Sequence, residues 1–375
     1  MADSGRVVLV TGASGFIGRR LVRRLATKLD PARDRLVLLA RAPRLQAERG
    51  ELAALGVKGE ALEGDVARMH LGLSGAEYKG LAAEVSEIWH LAGLYDLAAG
   101  SAALRAVNLE GTRGVLELAR AAPRLQRLHH FSTAYVSGDR EGVILEDELD
   151  VGQSFHGPYE RFKFEAERLV RGAMQDLPIT VYRPSIVIGD SRTGEVDRLE
   201  GPYYLALLLL ASPLGVRLPL PGSGVAPLNV VPVDFVVEAA LAIGNRPEGE
   251  GKTVHLVDPA PLSARRVYEL IAARTGRTLP QLPLPRRLVE VLLGLPVLER
   301  LVGPQRSAIR LVNHLAVYNC QNQLALLYGT SIRCPPITSY LDRLIEFVRS
   351  HLTAPALGIT AEVEDPLDAS PPEEP

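Results

Sequence analysis

The chain is short of cysteine, has one tryptophan, leans to neither sign of charge and holds no long apolar run. Each shortage removes a class of function. The two cysteines, Cys320 and Cys334, have neither metal-ligand spacing nor the framework of a disulfide-rich secreted fold, so two reduced thiols are expected and no metal site. A net charge of -2 over 375 residues offers no electrostatic basis for nucleic acid. No stretch approaches the roughly 18 apolar residues of a membrane-spanning helix. The nearest candidate, LALLLLA at Leu205–Ala211, is too short. The opening MADSGRVVLV lacks a basic segment ahead of a separate apolar core, so it reads as a first strand of a cytoplasmic protein. What is present is 47% hydrophobic residues, enough for a sizeable core.

Residues 1–190 alternate short apolar runs with helical patterns, as a doubly wound parallel α/β sheet requires. Strands are expected at Val7–Val10, Leu36–Ala40, within Val57–Gly64, and at Glu87–Ala92, Leu128–Ser132 and Ile179–Arg183. Ser137–Gly157 is polar and glycine-containing and reads as a surface loop. From Ser191 the pattern changes, with Gly and Pro crowding 213–232. NVVPVDFV (Asn229–Val236) returns to the core with Asp234 as a helix N-cap, and a last strand is expected at Thr253–Val257. The resulting division is an α/β region over 1–260 with an insertion at about 191–232, a mainly helical region over 261–352, and a tail over 353–375. Six acidic side chains and no apolar face predict disorder in that tail.

Two motifs carry chemistry. TGASGFIG at Thr11–Gly18 follows the first strand directly. Gly12, Gly15 and Gly18 permit a tight turn that brings bare backbone to a pyrophosphate at a helix N-terminus, with Ser14, Phe16 and Ile17 in the same turn. YERFK at Tyr159–Lys163 sets a phenol and an ammonium one helical turn apart on one face. Phe162, Ala166, Leu169 and Ala173 predict a separate buried face. A free phenol, with a pKa of about 10, is poorly matched to proton transfer near neutrality, and a neighbouring ammonium would lower it. Ser132 and Thr133 end a core strand, where a hydroxyl could share the charge developing on a carbonyl oxygen. Adjacent strand residues face opposite ways, so one of the two is the partner, and Thr133 is preferred to Ser132.

The end of the second strand bears on the cofactor. A carboxylate there meets the ribose of NAD, whereas a cation meets the 2′-phosphate of NADP. This strand ends at Arg41, Arg44 follows, and no acidic residue stands between Leu36 and Gln46. NADPH is therefore expected, with NAD second; the alternative is a pair of solvated surface arginines.

Together with HLAG (His90–Gly93), VNLEGT (Val107–Thr112), FSTAYVSG (Phe131–Gly138) and RPSIVIGD (Arg183–Asp190), these motifs resemble the extended short-chain dehydrogenase/reductase family over most of the first 260 residues. VLLAR (Val37–Arg41), FHGPYERFKFEAE (Phe155–Glu167) and RPSIVIGDSRTG (Arg183–Gly194) look most like its thioester reductase and fatty acyl-CoA reductase branch. The resemblance implies a Rossmann sheet with a smaller, mainly helical substrate-side region. It implies that Lys163 holds the nicotinamide ribose and that Asp65, followed by Val66, lies near the adenine. It places Leu91, Ala92 and Gly93 by the pyrophosphate and ribose. Pro184 would fix a turn from which Ile186 and Val187 offer backbone to the nicotinamide. Asn108 resembles a helix asparagine that supports a proton relay or a kink, and His90 reads as a packed strand residue. The family usually has Ser or Thr immediately before the lysine; Phe162 departs from this, which bears on packing.

Enzymes of that branch reduce acyl thioesters to aldehydes, sometimes alcohols, with NADPH. A thioester would reach this chain on coenzyme A or an acyl-carrier protein. Tyr95 and Asp96 are expected to face the substrate, and the apolar segments 203–211 and 288–301 could line a tunnel or be core. Arg286–Gly303 reads as a packed amphipathic helix or a peripheral membrane contact. Two rivals stay open. One is a reductase of a ketone, steroid-like alcohol or nucleotide sugar; the other is a non-catalytic NADP(H)-binding redox sensor, which the retained Tyr159 and Lys163 oppose.

Overall fold

The computed structural model describes residues 5–95, 100–197, 224–277 and 314–352. Asp96, the segments 203–211 and 286–303, the tail 353–375 and most of the insertion at about 191–232 lie outside the described residues. Strands in chain order are β1 (Val7–Thr11), β2 (Arg35–Ala40), β3 (Gly59–Glu63), β4 (Glu87–His90), β5 (Arg127–Phe131) and β6 (Gly142–Ile144). They continue with β7 (Ile179–Pro184), β8 (Ile186–Ile188), β9 (Val230–Pro232), β10 (Thr253–Leu256) and β11 (Ala316–Tyr318). Seven of them form one parallel sheet in the order β3-β2-β1-β4-β5-β7-β10. The order reverses between β1 and β4, the switch point at which such sheets open a crevice beyond their strand ends.

Parallel strands must be covered on both faces, and the sequence meets that demand by alternation. Val8, Val10, Leu36, Leu38 and Trp89 face one core, packed by Leu21, Val22 and Leu25 of α1 (Phe16–Ala26). Val7, Leu9, Val37, Leu39 and Ile88 face the other. That second core is filled from α3 (Gly75–Glu84), α5 (Gly111–Ala121) and α6 (Pro158–Ala173), chain neighbours of α2 (Ala42–Leu55) and α4 (Ser101–Leu104). Among the described residues the remaining helices are α7 (Val233–Gly244), α8 (Ala264–Arg274), α9 (Gln321–Leu327) and α10 (Leu341–Leu352). Among the described residues no helix is long and apolar enough to cross a membrane.

Three expectations change. Ser137–Gly157 is not all loop: β6 pairs in parallel with β11, Val143 opposite Val317. Asp234 does not cap α7, because the strand runs on through Pro232 and leaves Asp234 inside the first turn. Its carboxylate instead accepts from Ser191 N at 2.9 Å and Ser191 Oγ at 2.6 Å, tying the chain after β8 to α7. Residues beyond 260 also pack in two places. Leu326 and Leu327 of α9 join the sheet core, while α8 and α10 share a smaller core with Ile188 and Val230.

Candidate active site

The glycine turn lies where β1 leaves the sheet. Gly12 has φ +76°, and a Cβ there would sit 2.5 Å from Ala92 N, so the turn and the exit of β4 touch backbone to backbone. A Cβ on Gly18 would overlap the Gly12 carbonyl oxygen. Gly15 stands at the N-cap of α1, with Ser14 exposed beside it and Phe16 and Ile17 half-buried. A bare, tightly folded backbone at a helix N-terminus fits the pyrophosphate of a dinucleotide. Beside it Arg41 is the N-cap of α2, exposed, with Arg44 one turn on and no acid in that first turn. Asp65 is half-buried and its Oδ1 accepts from Ala67 N at 2.9 Å, while Val66 packs under Gly111.

The exit of β4 is held from below. His90 is buried, its Nδ1 2.7 Å from Thr11 Oγ1 and its Nε2 3.1 Å from Thr112 Oγ1. Burial, with Lys163 nearby, brings its pKa down to about 3, so the ring is neutral and its role is packing and hydrogen bonding. Asn108 is fully buried in a π-helical turn, Arg105–Glu110. Its Oδ1 accepts from Leu94 N at 2.8 Å and its Nδ2 donates to Leu94 O at 3.0 Å. Both ends of its amide are thereby engaged in fixing the chain just after Leu91, Ala92 and Gly93. Gly93 is exposed, and a Cβ there would be 4.0 Å from Lys163 Nζ.

Pro158 starts α6, so Tyr159 falls in its first turn and Lys163 one turn further. Lys163 is 6% exposed and donates to the Phe131 carbonyl at 2.7 Å. The expected split into a polar and an apolar face fails here, since Lys163 and Glu167 are buried on α6 alongside Ala166 and Val170. Phe162 fills a pocket with Leu104, Leu109 and Ala166, against which Tyr159 packs. The Tyr95 ring meets the Tyr159 ring edge-on at 4.8 Å.

Thr133 and Ser132 part company at the end of β5. Thr133 lies on the Tyr159 side, where it draws the phenol pKa down, and its Oγ1 accepts from Tyr135 N at 3.3 Å. Ser132 Oγ points the other way and donates to Glu167 Oε2 at 2.6 Å. The expected ammonium effect on the phenol is not found. Burial pushes the Tyr159 pKa well up, Tyr95 adds to that and Thr133 opposes it, while Lys163 points to Phe131. On the far side Pro184 ends β7, and Ile186 and Val187 are half-buried in β8 beside β9.

Sequence reading missed the group beneath these residues. Glu167 accepts from Arg183 Nε at 3.0 Å and Nη2 at 2.7 Å, and from Arg171 Nε at 3.0 Å. Burial works against the carboxylate, but the two guanidiniums and Ser132 hold its pKa below the ordinary value. The available signal was in FKFEAE, where Glu167 follows Lys163 by one turn on the same face.

A glycine turn at the switch point of a parallel sheet, with a phenol and an amine one helical turn apart beside a strand-end threonine, defines an NAD(P)-dependent oxidoreductase of the Rossmann type. The family model described as male sterility protein, an extended short-chain dehydrogenase/reductase type, matches residues 10–240, and the chain belongs to that family. It is 30% identical over 70% of its length to glycine betaine reductase ATRR of Emericella nidulans. It is 28% identical over 65% to a carboxylic acid reductase of Segniliparus rugosus. The chain spans about a quarter of these relatives, 22% and 23% of their respective lengths. Among solved structures, the terminal R domain of the myxalamid PKS-NRPS pathway superposes with a TM-score of 0.77 at 28% identity, covering 95% of this chain and 94% of that one.

Proposed function

We propose that this chain is an NADPH-dependent reductase that converts an acyl thioester, presented on coenzyme A or an acyl-carrier protein, to an aldehyde. The observation that carries the thioester over a ketone is the near end-to-end match to a terminal R domain. Bound NADPH would supply a hydride to the thioester carbonyl. The glycine turn would hold its pyrophosphate, Arg41 its 2′-phosphate and Lys163, beside bare Gly93, its ribose. Burial keeps the Tyr159 phenol protonated, which suits it to donate to the oxyanion that hydride addition creates. Thr133, at the end of the strand beside it, would give that oxygen a second hydrogen bond. Collapse of the tetrahedral adduct breaks the carbon–sulfur bond, and the departing thiolate takes the proton. One thioester, one hydride and one proton thus give one aldehyde and one thiol.

The test is to incubate the chain with NADPH and a long-chain acyl-CoA and to measure free thiol and trapped aldehyde together. Equal amounts of both, dependent on NADPH, are expected. Thiol released without NADPH would mean hydrolysis, and brisk ketone reduction with no thiol from any acyl-CoA or acyl-carrier protein would move the substrate to the rival class. Cofactor choice has its own test. Arg41→Ala should weaken NADPH by about ten- to a hundredfold while sparing NADH, the size of one charge-assisted contact of roughly 1.5–3 kcal/mol. Equal losses for both cofactors in a binding titration would remove Arg41 from this role.

A further inference from the structure

A path of hydrogen bonds and short stretches of backbone runs from Thr133 through the interior and back. Ser132 donates to Glu167, and Arg183 donates to the same carboxylate. Arg183 Nη1 then meets His255 Nε2 at 3.2 Å, and His255 Nδ1 lies 2.6 Å from the Asn319 carbonyl. A carbonyl only accepts, so Nδ1 carries the proton and Nε2 is the acceptor that an arginine N–H requires. One residue before Asn319, the Tyr318 hydroxyl is 3.2 Å from Ser137 Oγ, at the end of the short 3-10 turn that Thr133 caps. Glu146 braces the far side, accepting from His255 N at 2.9 Å and Asn322 N at 2.7 Å. Glu167, Arg183 and His255 are each at most 1% exposed.

A buried ion pair is weak as a source of stability, because apolar residues of the same volume often do as well. Orientation is what this one can supply. Anchoring the Ser132 hydroxyl to Glu167 leaves its neighbour Thr133 facing the other way, where its Oγ1 accepts from Tyr135 N and caps the 3-10 turn. We propose that Glu167, Arg183 and His255 are positioning residues that set the direction of the Thr133 hydroxyl, and that segment 314–328 is thereby a working part of the active site. The proposal rests on Thr133 being the second donor to the substrate oxygen.

His255→Phe keeps a ring and removes both of its bonds, whereas His255→Gln can still accept at one end and donate at the other. In the full chain, His255→Phe should lower kcat about tenfold on whichever carbonyl substrate the wild type reduces, with KM for NADPH within about twofold. His255→Gln should restore most of that rate. Amide hydrogen exchange gives a readout free of turnover. Ser132 N donates to Tyr182 O and Tyr135 N to Thr133 Oγ1, and both amides should exchange at least about tenfold faster in His255→Phe while β1 stays unchanged. Ser132→Ala cuts the path at its other end and should loosen Tyr135 alike, which serves if the histidine variant folds poorly. Its rate loss combined with that of His255→Phe should be smaller than the product of the two. Native exchange at both amides in both variants, or rate losses that multiply, would overturn the proposal. Absence of thioester reduction by the wild type would count against the proposed substrate and leave the exchange result standing.

Discussion

Lys163 shows how far a single residue's behaviour departs from its place in a motif. Its spacing from Tyr159 was plain in the sequence, but its environment depends on β5, where the Phe131 carbonyl accepts its proton. Burial brings its pKa down to about 8, with Glu167 opposing that shift. The ammonium proposed to hold the ribose is therefore present below pH 8 and lost as pH rises through that value. We expect kcat/KM for NADPH, which reports ionisations of the free protein, to fall above about pH 8. Lys163→Arg keeps the charge at any accessible pH and should carry that limb out of range, whatever its cost in rate. A limb that stays near 8 in the arginine variant belongs to some other group. The sequence favoured Thr133 over Ser132 without showing what holds Ser132, because Glu167, which accepts from it, lies 35 residues away.

At the scale of elements, legibility followed from burial. The first strands read clearly because β1 is buried at all five positions and apolar at four, and β2 is apolar at five of six. By contrast β6 and β11 have three residues each, are joined across nearly half the chain and expose Val143 and Val317. No local pattern announces such a pair. Asn108 announced only that something happens in its helix; the π-helical turn explains it, since the extra backbone residue swings the amide toward Leu94. The glycine turn is the element most exposed to a one-atom test. Gly18→Ala puts a methyl onto the Gly12 carbonyl oxygen inside a packed turn, so about 1–3 kcal/mol of stability should be lost together with dinucleotide affinity. Denaturant unfolding and NADPH titration check both, and an alanine variant with native affinity would mean the turn is looser than drawn.

On the scale of the whole molecule, residues beyond 260 are joined to the sheet as well as to one another. Gln323 Oε1 accepts from Val257 N at 2.8 Å and its Nε2 donates to Val257 O at 3.1 Å, and Asn322 Nδ2 donates to Thr253 O at 2.8 Å. Leu326 and Leu327, 7% and 4% exposed, sit in the same apolar cluster as Trp89. Trp89 is the chain's one tryptophan, buried on β4 and stacked on His129 at 3.7 Å, so its fluorescence reports the sheet core alone. Truncating a buried leucine to alanine costs about 2–5 kcal/mol. If α9 is part of the sheet's cooperative unit, Leu326→Ala with Leu327→Ala should move the Trp89-monitored urea midpoint down together with the far-ultraviolet helical signal. Were the residues after 260 to fold as a unit of their own, helical signal would be lost first and the Trp89 midpoint would stay in place. The packing predicts the coincident loss, because the atoms removed belong to the same apolar cluster as Trp89 and their helix lies against β10 of the same sheet.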